Sequence, residues 1–409
     1  MRTFEFNNPV YIKSGFTIVG PKEGDGNFGE CYDIVLKDDL WCEKSYEKCE
    51  CKMHRDAITG AILKAGLKRE DIDIMVGGDL LNELSATNLA ARNFPTAFLG
   101  LFNACATFGE SMLIASMLID GGFAKNMTCS TSSHFSTAER QYRFPLELGN
   151  QRPPSAQWTV TGAGCTVLSS EKPSEYNARV YEEDIVAIDD TMNIEQKELE
   201  KYKKSIEKQK KKINTEKSNI IEDNFDKEYN DYAAPNSHYV KVTGGTIGRV
   251  IDLGIDDESN MGAAMAPAAC DTILTHLKES GRAPSDYDAI FTGDLGRFGK
   301  ETLRYLLSQE GINLPDTYTD CGASYFAPEQ KTFQGGSGTG CVNTAFNGYI
   351  LKKLQRGEYK RILVVPTGAL LNKDTPLQNE TIPGIAHAFV VESEPMYKSK
   401  SSVTDGKQF

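Results

Sequence analysis

The sequence predicts an α/β protein built from two similar halves in one chain, each half covering a sheet with helices. Three observations predict it: a long-period repeat, apolar stripes of helical spacing that stop at glycines, and short apolar runs just after each stop. Residues 57–82 read AITGAILKAGLKREDIDIMVGGDLLN and residues 272–297 read TILTHLKESGRAPSDYDAIFTGDLGR. At one constant offset they share Gly66 and Gly281, Asp73 and Asp288, and a Gly-Asp-Leu triplet holding Asp79 and Asp294.

Each element follows from local pattern. Ile58, Ile62 and Leu63 make one helical stripe, and Ile273, Leu274 and Leu277 make its counterpart. The glycine after each stripe is a helix stop, and residues 72–76 and 289–292 then read as buried strands. Downstream, 109–123 and 340–359 each predict a long helix, followed by strands at 127–130 and 361–366. Small residues lead into a closing strand at 161–168 and again at 383–391. The expected organisation is a first half over 1–185, a linker over 186–238, a second half over 239–395 and a tail over 396–409. Within the linker, residues 195–231 are dominated by Lys, Glu, Asp and Asn. They read as a solvated insertion, with a partner-docking arm as the competing reading.

Composition removes several classes of function. With 409 residues and a net charge of −12, the chain has no long-range attraction for phosphate backbones, so no nucleic-acid partner is expected. No apolar run reaches membrane-spanning length and the first residues lack a secretory core, which predicts a cytosolic protein. Ten cysteines are too few for a disulfide scaffold in a chain this long. Cys42, Cys49, Cys51 and His54 invite a metal reading, but 46–66 has helical character and positions two apart face different sides, so no metal is expected. GPKEGDGNFG at 20–29 lacks the Gly-Lys-Ser/Thr ending of a phosphate loop. TGGTIGR, from Thr243, reads as the strand entry to the second half.

Cys105 stands in LFNACATFGES, ahead of a helix rich in small and apolar residues. A thiol there feels the positive end of the helix dipole, so Cys105 is a candidate nucleophile, with a buried structural cysteine as the alternative.

The duplicated halves, the Ala104-Cys105 step and the glycine-rich loop at 335–340 resemble the thiolase superfamily, whose enzymes pair the cysteine with two acid-base residues from the second half. The resemblance implies duplicated αβαβα layers. It also places Gly293 and Asp294 where a histidine is expected, and Gly336 and Ser337 where asparagine or histidine is expected. His387, in IPGIAHAFVVE, is a partial substitute for the missing histidine or a satisfied pocket-wall residue. Without acid-base partners, the pocket is expected to hold a ligand and not to transform one.

Within that superfamily, GPKEGDGNFG, GGDLLNE, DGGFAKNMTCSTSSHFSTAERQYRFP, MGAAMAPAACDTI and ETIPGIAHAFVVE resemble the stage V sporulation protein AD family of spore-forming bacteria. That resemblance implies binding of dipicolinate, alone or with calcium, and partnership with other stage V sporulation A membrane proteins. It also implies a homodimer, peripheral association with the forespore or spore inner membrane, and no cofactor. The expected ligand-binding residues are Cys105, His134, Arg140, Arg143, Asp294, Ser337 and His387. A planar dianion needs cationic or amide donors and a flat wall, which Arg140, Arg143 and the neighbouring aromatics Tyr142 and Phe144 could supply. Surface ion pairing is the competing reading for each arginine. A dimer contact is the competing reading for His134, and a turn-stabilising carboxylate for Asp79 and Asp294 alike. The alternative function is an acyl-transferring or condensing enzyme using Cys105.

Overall fold

The computed structural model describes residues 1–142, 151–173, 180, 184–185 and 237–396. Arg143, Phe144 and the charged insertion at 195–231 lie outside these residues.

In chain order the first half supplies strands β1 (Thr3–Val19), β2 (Ile74–Asp79), β3 (Ala97–Gly100), β4 (Asn126–Ser133) and β5 (Gly162–Ser169). The second half supplies β6 (His238–Thr246), β7 (Ala289–Thr292), β8 (Thr319–Asp320), β9 (Arg361–Val365) and β10 (Ala388–Pro395). The strands run in the order β3-β2-β4-β5-β1-β6-β10-β9-β7-β8, so each strand is mirrored by the one five places later in the chain. β1 joins the two sets. Its first residues pair antiparallel with β6, from Thr3↔Thr246 to Tyr11↔Lys241, and the rest pairs with β5, from Tyr11↔Ser169 to Val19↔Gly162.

Apolar residues alternate between the two faces of these strands, and that alternation makes three separate cores. Ile362 and Val364 of β9 point into the central core, while Leu363 and Val365 point into the outer core of the second half. Val76 of β2 points to the centre and Met75 to the outer core of the first half. Helix α1 (Tyr46–Lys64) covers the first outer face through Met53, Ala57, Ile58 and Ala61. Counting helices along the chain with α2 (Ser85–Ala91), α3 (Thr107–Asp120) and α4 (Phe135–Tyr142), the second outer face is covered by α5 (Met261–Ser280). Helix α6 (Gly296–Gln309) packs against α5.

Two helices fill the centre: α3 and α7, a continuous helix made of Thr339–Ala345, a π-helical turn at Phe346–Ile350, and Leu351–Gln355. Both are buried nearly all round because sheet lies on either side of them. The result is the five-layer helix-sheet-helix-sheet-helix stack expected from the repeat.

The repeat is visible in hydrogen bonds as well as in order. Gly66 and Gly281 both end their helices with φ 69°. Asp73 accepts from the Lys125 and Asn126 amides at 2.7 and 2.9 Å, and Asp288 accepts from Lys360 and Arg361 at 2.5 and 2.9 Å. Two segments differ from expectation. Thr243–Thr246 of TGGTIGR are the end of β6, so that motif is the exit from a strand and not its entry. The expected closing strand at 383–391 is broken at His387 into Gly384–Ala386 and β10. No helix among the described residues is long and apolar enough to cross a membrane.

Candidate functional site

Cys105 reaches its place through a tight turn. Asn103 N–H donates to Thr107 Oγ1 at 3.0 Å, and that hydroxyl donates to the Ala104 carbonyl at 2.7 Å. Ala104 between them takes φ 48°, a left-handed conformation that costs a residue with a Cβ about 1 kcal/mol or more. The strain sets the 5 % exposed cysteine immediately before the first turn of α3.

From the second half, Gly336 and Ser337 pair in parallel with Trp158 and Thr159, bringing the glycine-rich loop beside Cys105. Gly338 then opens α7 with φ 106°, and a Cβ there would lie 2.7 Å from Ser133 Oγ, so a side chain is excluded twice over. Cys105, Ser337, Gly338, Tyr142, Met261 and Leu371 are among the walls of one cavity of about 30 Å³, room for about one water. Leu80, Ala138 and Thr159 complete its sides. Among the described residues its wall contains no histidine, carboxylate, lysine or arginine, and its ionisable members there are Cys105 and Tyr142. The Tyr142 hydroxyl donates to the Leu80 carbonyl at 2.9 Å, and burial raises its pKa.

The predicted residues fall into distinct groups around this cavity. Cys105 and Ser337 line it. His387 lies behind the cysteine turn: the Gly248 amide is 3.2 Å from its Nδ1 and the Asn103 side-chain amide nitrogen is 3.3 Å from its Nε2. Burial pushes its pKa down to about 4, so the ring is neutral near pH 7. His134 is fully buried, with Nε2 against the Asp39 carbonyl at 2.8 Å and Nδ1 accepting from the Ser136 amide at 3.2 Å. It therefore presents no surface for a dimer contact. Arg140 is half exposed and pairs with Glu47 at 2.7 Å, away from the cavity wall.

Asp294 departs from the turn-stabilising role expected of it. Its counterpart Asp79 fills that role, accepting from the Leu81, Ala86 and Thr87 amides at 2.9, 3.3 and 2.7 Å and from the Thr87 hydroxyl at 2.5 Å. In the second half the work passes to Asp320 on β8, which accepts from Leu295, Gly296 and Ala323 at 3.1, 2.9 and 2.8 Å. Asp294 is left fully buried with both carboxyl oxygens lacking a hydrogen bond of ordinary geometry. Burial, and then the nearby Asp320 carboxyl, raise its pKa well above the usual range. The Gly338 amide and the Cys341 thiol are close enough to oppose that only in part. A buried carboxyl group held well above its usual pKa occupies the place where the superfamily resemblance puts a histidine.

Sequence reasoning missed the acids packed behind the first-half wall. Burial raises Glu50 to about 8, with the Asp79 carboxyl adding to it, and burial raises Asp79 itself to about 6. Glu50 accepts from Ser132 at 3.2 Å and Thr137 at 2.8 Å. Its place on the same helix as His54 was the available signal. His54 bonds Ser132 and Ser130, both at 2.9 Å, and burial lowers its pKa to about 3. Among the described residues no three His, Cys, Asp or Glu side chains are placed to share an ion.

Mirrored half-sheets around two buried helices, with a cysteine at the head of one and a glycine-rich loop at the head of the other, define a protein of the thiolase-like class. Solved structures agree on that fold. OleA of Xanthomonas campestris with cerulenin matches 95 % of this chain and 98 % of its own at TM-score 0.52 and 14 % identity. The tetronic acid condensing enzyme AbyA1 matches 94 % and 99 % at TM-score 0.51 and 14 % identity. The chain belongs to the stage V sporulation protein AD (SpoVAD) family, whose model matches residues 1–226 and 232–392. The stage V sporulation protein AD of Bacillus subtilis is 36 % identical over 392 residues, covering 96 % of each chain.

Proposed function

We propose that this sporulation protein binds dipicolinate, alone or with calcium, beside Cys105 and supports its entry into the developing spore without transforming it. One observation carries the reading: the N-termini of both central helices, α3 and α7, open onto a cavity whose wall, among the described residues, has no histidine or other base apart from the thiol and phenol. Helix N-termini favour carboxylates through oriented amides and the helix dipole, so affinity for an anion does not require a cation in the wall. Proton transfer does require an acid-base partner, and His387 is instead engaged behind the turn. The cavity as folded is smaller than a pyridine ring, so Leu371 and Met261 must part from Tyr142 to admit the ligand.

Titration calorimetry with dipicolinate and with benzoate tests this. Dipicolinate should bind more tightly because only it offers two carboxylates; equal binding of both, or none, sinks the proposal.

A second reading is acyl transfer on Cys105. The left-handed Ala104 favours it, because a strained turn that delivers a thiol to a helix N-terminus is an arrangement that serves nucleophiles. Mass spectrometry after incubation with an acyl-coenzyme A would then show an adduct that is lost in Cys105→Ala.

The proposal extends to assembly: a homodimer, held peripherally at the forespore or spore inner membrane by other stage V sporulation A proteins. Support for the dimer comes from β3. Among the described residues it is the outermost strand of its half-sheet, with no strand on its far side, and Leu99 on it is 43 % exposed.

A further inference from the structure

A second cavity, of about 490 Å³, lies on the outer surface of the first half, where the end of α1, the turn after it and the segment following α2 meet. Its size is within the range of small-molecule sites, and it is far roomier than the space beside Cys105. Ile62, Leu63, Leu67 and Phe94 give it apolar walls, while Lys68, Arg69 and Arg92 face it with Glu70 as the only lining carboxylate among the described residues. In a chain with a net charge of −12, such a concentration of cations is locally unusual.

The three cations differ in how they are held. Arg69 is 8 % exposed, donates to Thr59 Oγ1 at 3.2 Å and the Asn93 carbonyl at 3.4 Å, and lies 4.8 Å over the Phe94 ring. It is part of the wall. Lys68 and Arg92 make no side-chain hydrogen bond or ion pair among the described residues, so their charges are available to a guest.

The internal duplication provides a control for what the fold itself requires. In the second half the same turn has Ala283 and Pro284 where the first has Lys68 and Arg69. Both turns close identically: Asp71 accepts from the Lys68 amide at 2.8 Å, and Asp286 from the Ala283 amide at 2.8 Å. One copy makes the turn with no cation at either position, so folding of this turn does not explain the charges in the other.

We infer that this cavity is a second ligand site, separate from the one beside Cys105, and that it takes an amphipathic carboxylate. The apolar body would lie on Ile62, Leu63 and Phe94, with the carboxylate between Lys68 and Arg92.

The test is calorimetry of the full chain with octanoate, using octylamine as the same body with the opposite charge and inorganic phosphate as charge without body. Octanoate should bind and the other two should not. Arg92→Ala and Lys68→Ala should each weaken octanoate about tenfold, the effect of one charge-assisted hydrogen bond. Unchanged melting temperatures would show that both variants still fold, and unchanged dipicolinate affinity would keep this site distinct from the first. No octanoate binding, equal binding of octylamine, or octanoate affinity indifferent to both substitutions would overturn the inference.

Discussion

A carboxyl group taken out of water with too few donors keeps its proton, and the chain then becomes less stable as the pH rises past the point where the unfolded form loses it. Glu23 shows this clearly. One of its oxygens accepts from the Thr161 amide at 3.0 Å, the other has no hydrogen-bond partner among the described residues, and burial pushes its pKa up to about 8. The folded state holds that proton across pH 5 to 8 while the unfolded state does not, so stability should fall over this window. Glu23→Gln should flatten the fall, adding up to a few kcal/mol at pH 8 and little at pH 5, as read by urea melts at the two values. A fall as steep in the variant as in the parent would refute the assignment. At the cavity, Leu371→Ala should remove part of the cost of opening and tighten dipicolinate by a few-fold, though with some loss of melting temperature. Weaker binding in that variant would mean that Leu371 grips the ligand and does not bar it.

Single elements show where sequence pattern carries information and where it does not. β2 and β7 were legible because a short apolar run after a glycine-stopped helix has few other uses. Asp73 and Asp288 were legible as a pair because both tie the same two amides of a neighbouring strand. The 17 residues of β1 were not, because Asn7, Asn8 and Pro9 interrupt it at a register shift within its pairing to β6, and Val10–Val19 is buried on both faces, which erases alternation. The cavity was legible in Cys105, Ser337 and the aromatic Tyr142 alone, since Leu80, Met261 and Leu371 come from segments that nothing local connects. Asp294 misled because its counterpart Asp79 does cap a turn; only the appearance of Asp320 on a neighbouring strand releases it. β3 raises a question that belongs to the element as a whole. An outer strand with an exposed leucine pairs readily with a copy of itself. Leu99→Asp should therefore convert a dimer to a monomer in light scattering coupled to gel filtration, because it sets two like charges across the pairing edge. A monomeric parent protein would remove the basis of that expectation.

On the scale of the whole molecule, duplication has not produced two independent domains. The central core takes Val76, Met127 and Leu168 from the first half and Phe291, Ile362 and Phe389 from the second. Helix α7 also bonds across the boundary: Asn343 donates to Thr131 Oγ1 at 2.8 Å and to the Gly164 carbonyl at 2.9 Å, and Thr131 donates to the Thr339 carbonyl at 2.6 Å. Separating the halves would expose one side of the central layer and leave these groups without their partners, at about 1 kcal/mol or more for each that stays buried. The buried residues of each outer core come from one half, with Tyr142 of the first half packed against the second core, and neither outer core closes the central layer. The intact chain should consequently unfold in urea through a single transition that fluorescence and far-ultraviolet circular dichroism report at the same midpoint. Residues 1–185 expressed alone should keep helical signal yet lack near-ultraviolet dichroism and bind a hydrophobic dye, the marks of a chain that has collapsed without packing. Two resolved transitions in the intact protein, or a well-dispersed amide spectrum from the isolated first half, would instead make each half a unit able to close its own core, with the central helices merely stacked between them.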